Sequence, residues 1–310
     1  MQIPIIESLI EAYISSGQYH EADKRQSYLY RIRKINYRND EQRTLKALLN
    51  FAEWQRQAYL LNIDKSSGKR LLITHDIYQQ AIQMIMTSSD QDLTNIIAPL
   101  EGLMSVQYLL SIYQGNDPET FQFSSQSSSD GFSDPVDNRL RFLQASAFRQ
   151  GKITLDRLRH YRENDKDTSI LALVEHNLAM ADWHLWYNKR SAAMKLYYDT
   201  YQKLLKLEDA DFHIDRFLGS PVSLPTIGNT SLEFLEKKIY TENKQGHFLV
   251  SYKVNKSGQT FQFELIQAIP EAKSRIRSKI IRELKSKRFR PKFENGKPVV
   301  TKDIVEEYVY

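Results

Sequence analysis

Cysteine is absent from all 310 residues. Disulfides, thiolate metal sites and cysteine nucleophiles are therefore excluded together, and the chain suits an oxidising compartment as well as a reducing one. No apolar run approaches the roughly 18 to 20 residues that a membrane-spanning helix needs, so no helical span is expected. The signatures of the commonest enzyme classes are missing too. Gly68-Lys69 has Ile63 where a phosphate loop needs its first glycine, and neither G-x-G-x-x-G, H-E-x-x-H nor G-x-S-x-G occurs. Two scattered acid and histidine groups carry little more. His176 and His184, near Asp182 and His160, lack the carboxylate spacing of a metal site and read as ordinary helix histidines. Asp130, Gly131, Asp134 and Asp137 have the wrong spacing for a calcium loop, with no glutamate to close it. These absences point to a non-enzymatic protein that needs no cofactor; no small-molecule ligand is indicated.

What is present is a globular composition, with 41% hydrophobic and 26% charged residues and a mean hydropathy of −0.54. The length allows two domains, each with its own core. The net charge of +5 is unevenly placed, because residues 271–292 hold ten Lys/Arg against two Glu and the remainder is slightly acidic. The 18 Tyr and 14 Phe include a cluster at Trp183, Trp186, Tyr187, Tyr197, Tyr198 and Tyr201, which at helical spacing reads as packing between helices.

From residue 5 to about 207 the apolar spacing predicts helices throughout. Leu9, Ala12, Tyr13, Gly17, Tyr19 and Ala22 stand at the offsets of small and large packing residues around a tight turn, and the first pair resembles a tetratricopeptide repeat. Leu178, Ala181, Asn188, Ala193 and Tyr197 repeat the pattern with Asn188 at the turn. The stretch 143–161 is a third, weaker match that would turn at Gly151. Amphipathic stretches at 41–62, 70–87 and 91–114 read as degenerate repeat helices. The serine-rich tract 124–135 predicts a loop between two helical halves, and the run from Leu218 to Pro225 predicts a linker. A short helix is expected over 230–241.

The last sixty-five residues change character. Phe248, Val250, Tyr252 and Val254 alternate on one strand, Phe261, Phe263 and Leu265 on a second, and Asn255-Lys256-Ser257-Gly258 supplies the hairpin turn. Pro270 then opens a helix whose stripe is Ala272, Ile276, Ile280 and Leu284. It runs into Arg288-Phe289-Arg290-Pro291, Asn295-Gly296 turns the chain, and 299–310 reads as a third strand. Arg288-Phe289-Arg290-Pro291 followed by Gly296-Lys297-Pro298-Val299, in this strand-strand-helix-strand order, resembles the C-terminal domain of TonB and TonB-like energy transducers. Phe289 is expected to plug the helix onto the sheet while Arg288 and Arg290 pair with carboxylates or carbonyls. Arg288, Phe289, Arg290, Pro291, Gly296, Pro298 and Val299 are thus structural motif residues.

The resemblance implies a small ββαβ unit, so the fold class is mainly α with an α+β C-terminal domain. Expected boundaries are a tetratricopeptide-like array at 1–217, a linker at 218–229 and a TonB-like domain at 230–310. The resemblance further implies a periplasmic, cell-envelope protein that docks protein or peptide partners, such as outer-membrane transporter segments, on a sheet edge. Residues 1–7 carry no secretory signal, so a periplasmic reading requires one upstream, with the cytoplasm as the alternative. Without the family's anchor and proline-rich spacer, the chain reads as a docking scaffold and not as a transducer. Val300, Ile304, Val305, Tyr308 and Tyr310 are the candidate partner-binding residues. The competing reading is a cytoplasmic adaptor or regulator that binds nucleic acid through the basic helix 273–292, with Arg275, Lys279, Arg282 and Lys285 on one face.

Overall fold

The computed structural model describes residues 2–64, 68–88, 93–113, 135–165, 168–227, 230–231, 246–269 and 274–309. The protein is mostly helical with a small C-terminal sheet region. It divides into two compact units, Met1–Asp165 and Lys166–Tyr310.

The N-terminal unit consists of α1 (Gln2–Ser15), α2 (Tyr19–Asn36), α3 (Glu41–Leu60), α4 (Gly68–Thr87), a 3₁₀ turn (Leu93–Ile96), α5 (Ile97–Ile112) and α6 (Pro135–Asn164). Each helix packs on the next in sequence, an arrangement that buries apolar faces no single pair could bury alone. Gly17 makes the α1–α2 turn at φ +74°. Asp40 caps α3 by accepting the amide of Arg43 at 2.9 Å. Arg70 of α4 ties three segments together through Asp23 (2.9 Å), Asp64 (2.8 Å) and Gln55 (2.8 Å), and Trp54 also donates to Asp23. Burial would raise the Asp23 carboxyl, but the hydrogen bonds from Arg70 and Trp54 outweigh it and hold the group below its usual range.

Two expectations fail here. Gly151 does not turn the chain: α6 runs unbroken from Pro135 to Asn164, because Leu140, Leu143, Ala147, Gly151, Thr154 and Leu158 form one buried stripe through it. Leu9 and Ala12, read as packing residues, are exposed, since α1 packs on α2 through its other face and among the described residues no helix covers this side. Residues 124–134, with Asp130, Gly131 and Asp134, lie outside the described residues.

The C-terminal unit begins with α7 (Ile170–Trp186), α8 (Arg190–Leu204) and α9 (Ala210–Leu218). Asn188 turns α7 into α8 at φ +57°, the left-handed geometry a turn glycine would otherwise supply. The short strands β1 (Val222–Leu224), β2 (Thr226–Ile227) and β3 (Thr230–Ser231) follow, then β4 (His247–Val254), β5 (Thr260–Ile269) and α10 (Ser274–Ser286). The chain ends with β6 (Arg288–Arg290), β7 (Phe293–Glu294), β8 (Lys297–Pro298) and β9 (Thr301–Val309). The main sheet is antiparallel in the order β5-β4-β9, so β4 is central and β9 is an edge. Phe248, Val250, Tyr252 and Val254 alternate into a core with Ile280 and Leu284 of α10 and with Phe289. Thr260 secures the same helix by donating to the Leu284 carbonyl at 2.7 Å.

The segment read as a linker is instead part of this unit. Leu218 and Leu224 are buried, and β1 pairs antiparallel with β6 in the register Val222↔Arg290 and Leu224↔Arg288. The division accordingly falls at Asp165/Lys166, ahead of α7, and not at 217–230. The helix expected from 230 does not start there, since Thr230–Ser231 is a strand paired with β2; residues 232–245 lie outside the described residues.

Candidate functional site

Along β6 the side chains alternate, so Phe289 enters the sheet core while Arg288 and Arg290 point the other way. Arg290 is fully buried. Its Nε and Nη2 donate to the two carboxylate oxygens of Asp182 on α7 at 3.0 and 2.6 Å, and its Nη1 donates to the Phe217 carbonyl at 3.1 Å. Asp182 is equally buried and also accepts the Tyr197 hydroxyl of α8 at 2.6 Å. This two-pronged arrangement is the strong form of an arginine–carboxylate bond. It joins α7, α8, α9 and β6 at one point. Arg288 donates to the carbonyls of Ser286, the last residue of α10, and of Lys287, at 3.1 and 3.0 Å. Burial, and then the nearby Arg190, lower its guanidinium from the usual value.

The remaining motif residues continue this attachment. Pro291 is buried, and Phe293 sits in a core with Leu178, Leu185 and Tyr197, its ring 5.8 Å from that of Tyr197. Asn295 and Gly296, at φ +49° and +73°, form the two-residue turn joining β7 and β8. A Cβ on Gly296 would meet the Tyr201 ring at 3.0 Å. Pro298 and Val299 are half-buried, and the Val299 amide donates to the Lys292 carbonyl. Within the aromatic cluster Trp183 and Tyr197 are fully buried packing residues and Tyr201 lies against the turn, whereas Tyr198 is exposed.

Of the candidate partner-binding residues Ile304, Val305 and Tyr308 lie on β9 and Val300 just before it, and they are not presented alike. Ile304 and Tyr308 pack against the sheet core, whereas Val300 and Val305 are exposed, Val305 at 52%. Tyr310 lies outside the described residues. Glu306 turns inward, accepting the Tyr252 hydroxyl at 3.0 Å and Lys287 at 2.8 Å, and Lys287 lies over the Tyr308 ring at 4.9 Å. These contacts fix the register of β9 on β4. A bulge interrupts it once, where Tyr252↔Ile304 and Val254↔Thr301 bracket Asp303 at φ +57°. On its far side β9 pairs with no strand among the described residues.

The other sequence candidates fall elsewhere. Asp182 is consumed by Arg290, and the His184 Nδ1 lies 2.9 Å from the Met180 carbonyl. On α10, Arg277, Arg282 and Lys285 are exposed, while Lys273 and the side chains of Arg275 and Lys279 lie outside the described residues. The N-terminal unit has an open cleft of about 210 Å³ lined by Asp40, Glu41, Leu45, Met84, Ile85 and Ser88, where Glu41 already accepts the Ser88 hydroxyl. No family of proteins, no curated protein and no solved structure matches this chain.

Proposed function

We propose that the chain is a non-enzymatic interaction protein of the cell envelope, acting in the periplasm in connection with TonB-dependent transport. In this reading the helices are a tetratricopeptide-like scaffold, and the C-terminal sheet is a TonB-like domain that docks an extended segment of a partner protein. The observation that carries it is the position of β9 at the edge of the sheet, with Val300 and Val305 exposed. An extended peptide added there gains main-chain hydrogen bonds for affinity and side-chain contacts for specificity. The inward Glu306 and the bulge at Asp303 are devices that keep an edge from pairing indiscriminately, which suits a strand reserved for one partner.

The test is capture of partners from separated envelope and cytosol fractions by the intact chain. Val305→Pro, which removes a main-chain donor, should abolish the capture that Val305→Ala retains, with thermal melting showing both variants folded. Equal capture by the two would contradict docking at β9. The competing adaptor reading draws on the exposed Arg277, Arg282 and Lys285 of α10. Retention on heparin that falls steeply with salt and disappears on charge reversal at Arg277 and Arg282 would favour it.

A further inference from the structure

We infer that the α1–α2 hairpin is a docking surface for an anionic lipid membrane. Lys24, Tyr28, Arg31 and Ile35 stand at i, i+4, i+7 and i+11 on α2, a single stripe that is exposed throughout and alternates cation with apolar ring or chain. Ile35 is 70% exposed. Of the stripe's cations Lys24 pairs along the helix surface with Glu21, whereas Arg31, with Lys34 and Arg38 beside it, has no ion-pair or hydrogen-bond partner among the described residues; Arg33–Glu7 and Asp23–Arg70 are pairs within the helical unit. The helix beside this stripe is likewise unusual on its outside. Ile5, Leu9 and Ala12 of α1 are exposed, with Ile5 at 66%, an apolar set that no described element covers.

A merely solvated face would interleave its cations with polar residues. A nucleic-acid surface would need several rings for stacking, and only Tyr28 is an exposed aromatic here; the aliphatic Ile35 contributes nothing to a phosphate backbone. A lipid interface uses both chemistries. Cations meet the anionic headgroups while Tyr and Ile enter the boundary with the acyl chains. The inference uses none of the residues of the β9 reading and stands or falls separately.

The test is co-sedimentation of the full chain with vesicles of phosphatidylcholine alone and of phosphatidylcholine mixed with phosphatidylglycerol. Binding is expected only to the anionic vesicles, weakening as salt is raised. Arg31→Glu with Lys34→Glu should lower the partition about 25-fold or more, at roughly fivefold for each of the two cations lost. Tyr28→Ser with Ile35→Ser should lower it several-fold, with melting unchanged because these side chains are exposed. Absence of binding to anionic vesicles, equal binding to neutral ones, or undiminished binding by either double variant would overturn the proposal. So would capture by single-stranded oligonucleotides at concentrations where vesicles capture nothing.

Discussion

The residue on which the C-terminal unit depends is Arg290, and its partner Asp182 stands 108 positions earlier. Both are fully removed from water, and a buried charge stripped of its partner costs far more than the pair contributes. Asp182→Ala is therefore expected to destabilise the unit by about 3–5 kcal/mol in denaturant unfolding, whereas Asp182→Leu combined with Arg290→Met should recover most of that loss. A double variant no more stable than the single would show that the pair is not what holds these elements. Pairing of Arg290 was legible from its place in the motif, but the identity of the partner was not. The available signal was an acid amid the apolar stripe of Leu178, Ala181 and Leu185, a position where a carboxylate needs a partner.

Among the elements, local patterns foretold the strands well because they rest on period-two alternation and turn chemistry. β4, the β4–β5 hairpin and the Asn295-Gly296 turn all stand where the residues place them. Gly151 misled because a glycine inside a helix resembles a break, while the apolar stripe running through it was the stronger signal. The strands β1 and β6 had no comparable signature, each being three residues whose pairing depends on a partner more than sixty positions away. Two turn glycines separate conformational cost from steric cost. Gly17 and Gly258 share φ +74°, yet a Cβ on Gly17 meets nothing within 4 Å and one on Gly258 would lie 1.9 Å from the Phe289 carbonyl oxygen. Gly17→Ala should cost only about 1–2 kcal/mol, the left-handed penalty. Gly258→Ala must also displace β6 and should cost clearly more, as read from the unfolding transition of each variant. Equal losses would mean that the β6 contact contributes nothing.

At the scale of the molecule, the division at Asp165/Lys166 puts α7–α9 and the sheet in one compact unit. A short flexible Gly/Ser insertion between residues 165 and 168 is expected to leave thermal unfolding almost unchanged. The same insertion at Gly219, between the buried Leu218 and the paired strand β1, should lower the melting temperature of the C-terminal unit. If both were tolerated equally, residues 218–229 would be a linker after all. Composition could not reveal this boundary, because Leu218-Gly219-Ser220-Pro221 has the residues of a linker while its flanks are buried by contacts distant in sequence. Docking at β9 leaves its own trace on the backbone, which amide hydrogen exchange with and without a captured partner reads residue by residue. Docking at the edge predicts that alternate amides of residues 301–309, those not already bonded to β4, become protected while α10 is unaffected. Protection confined to α10, or none in β9, would contradict the account.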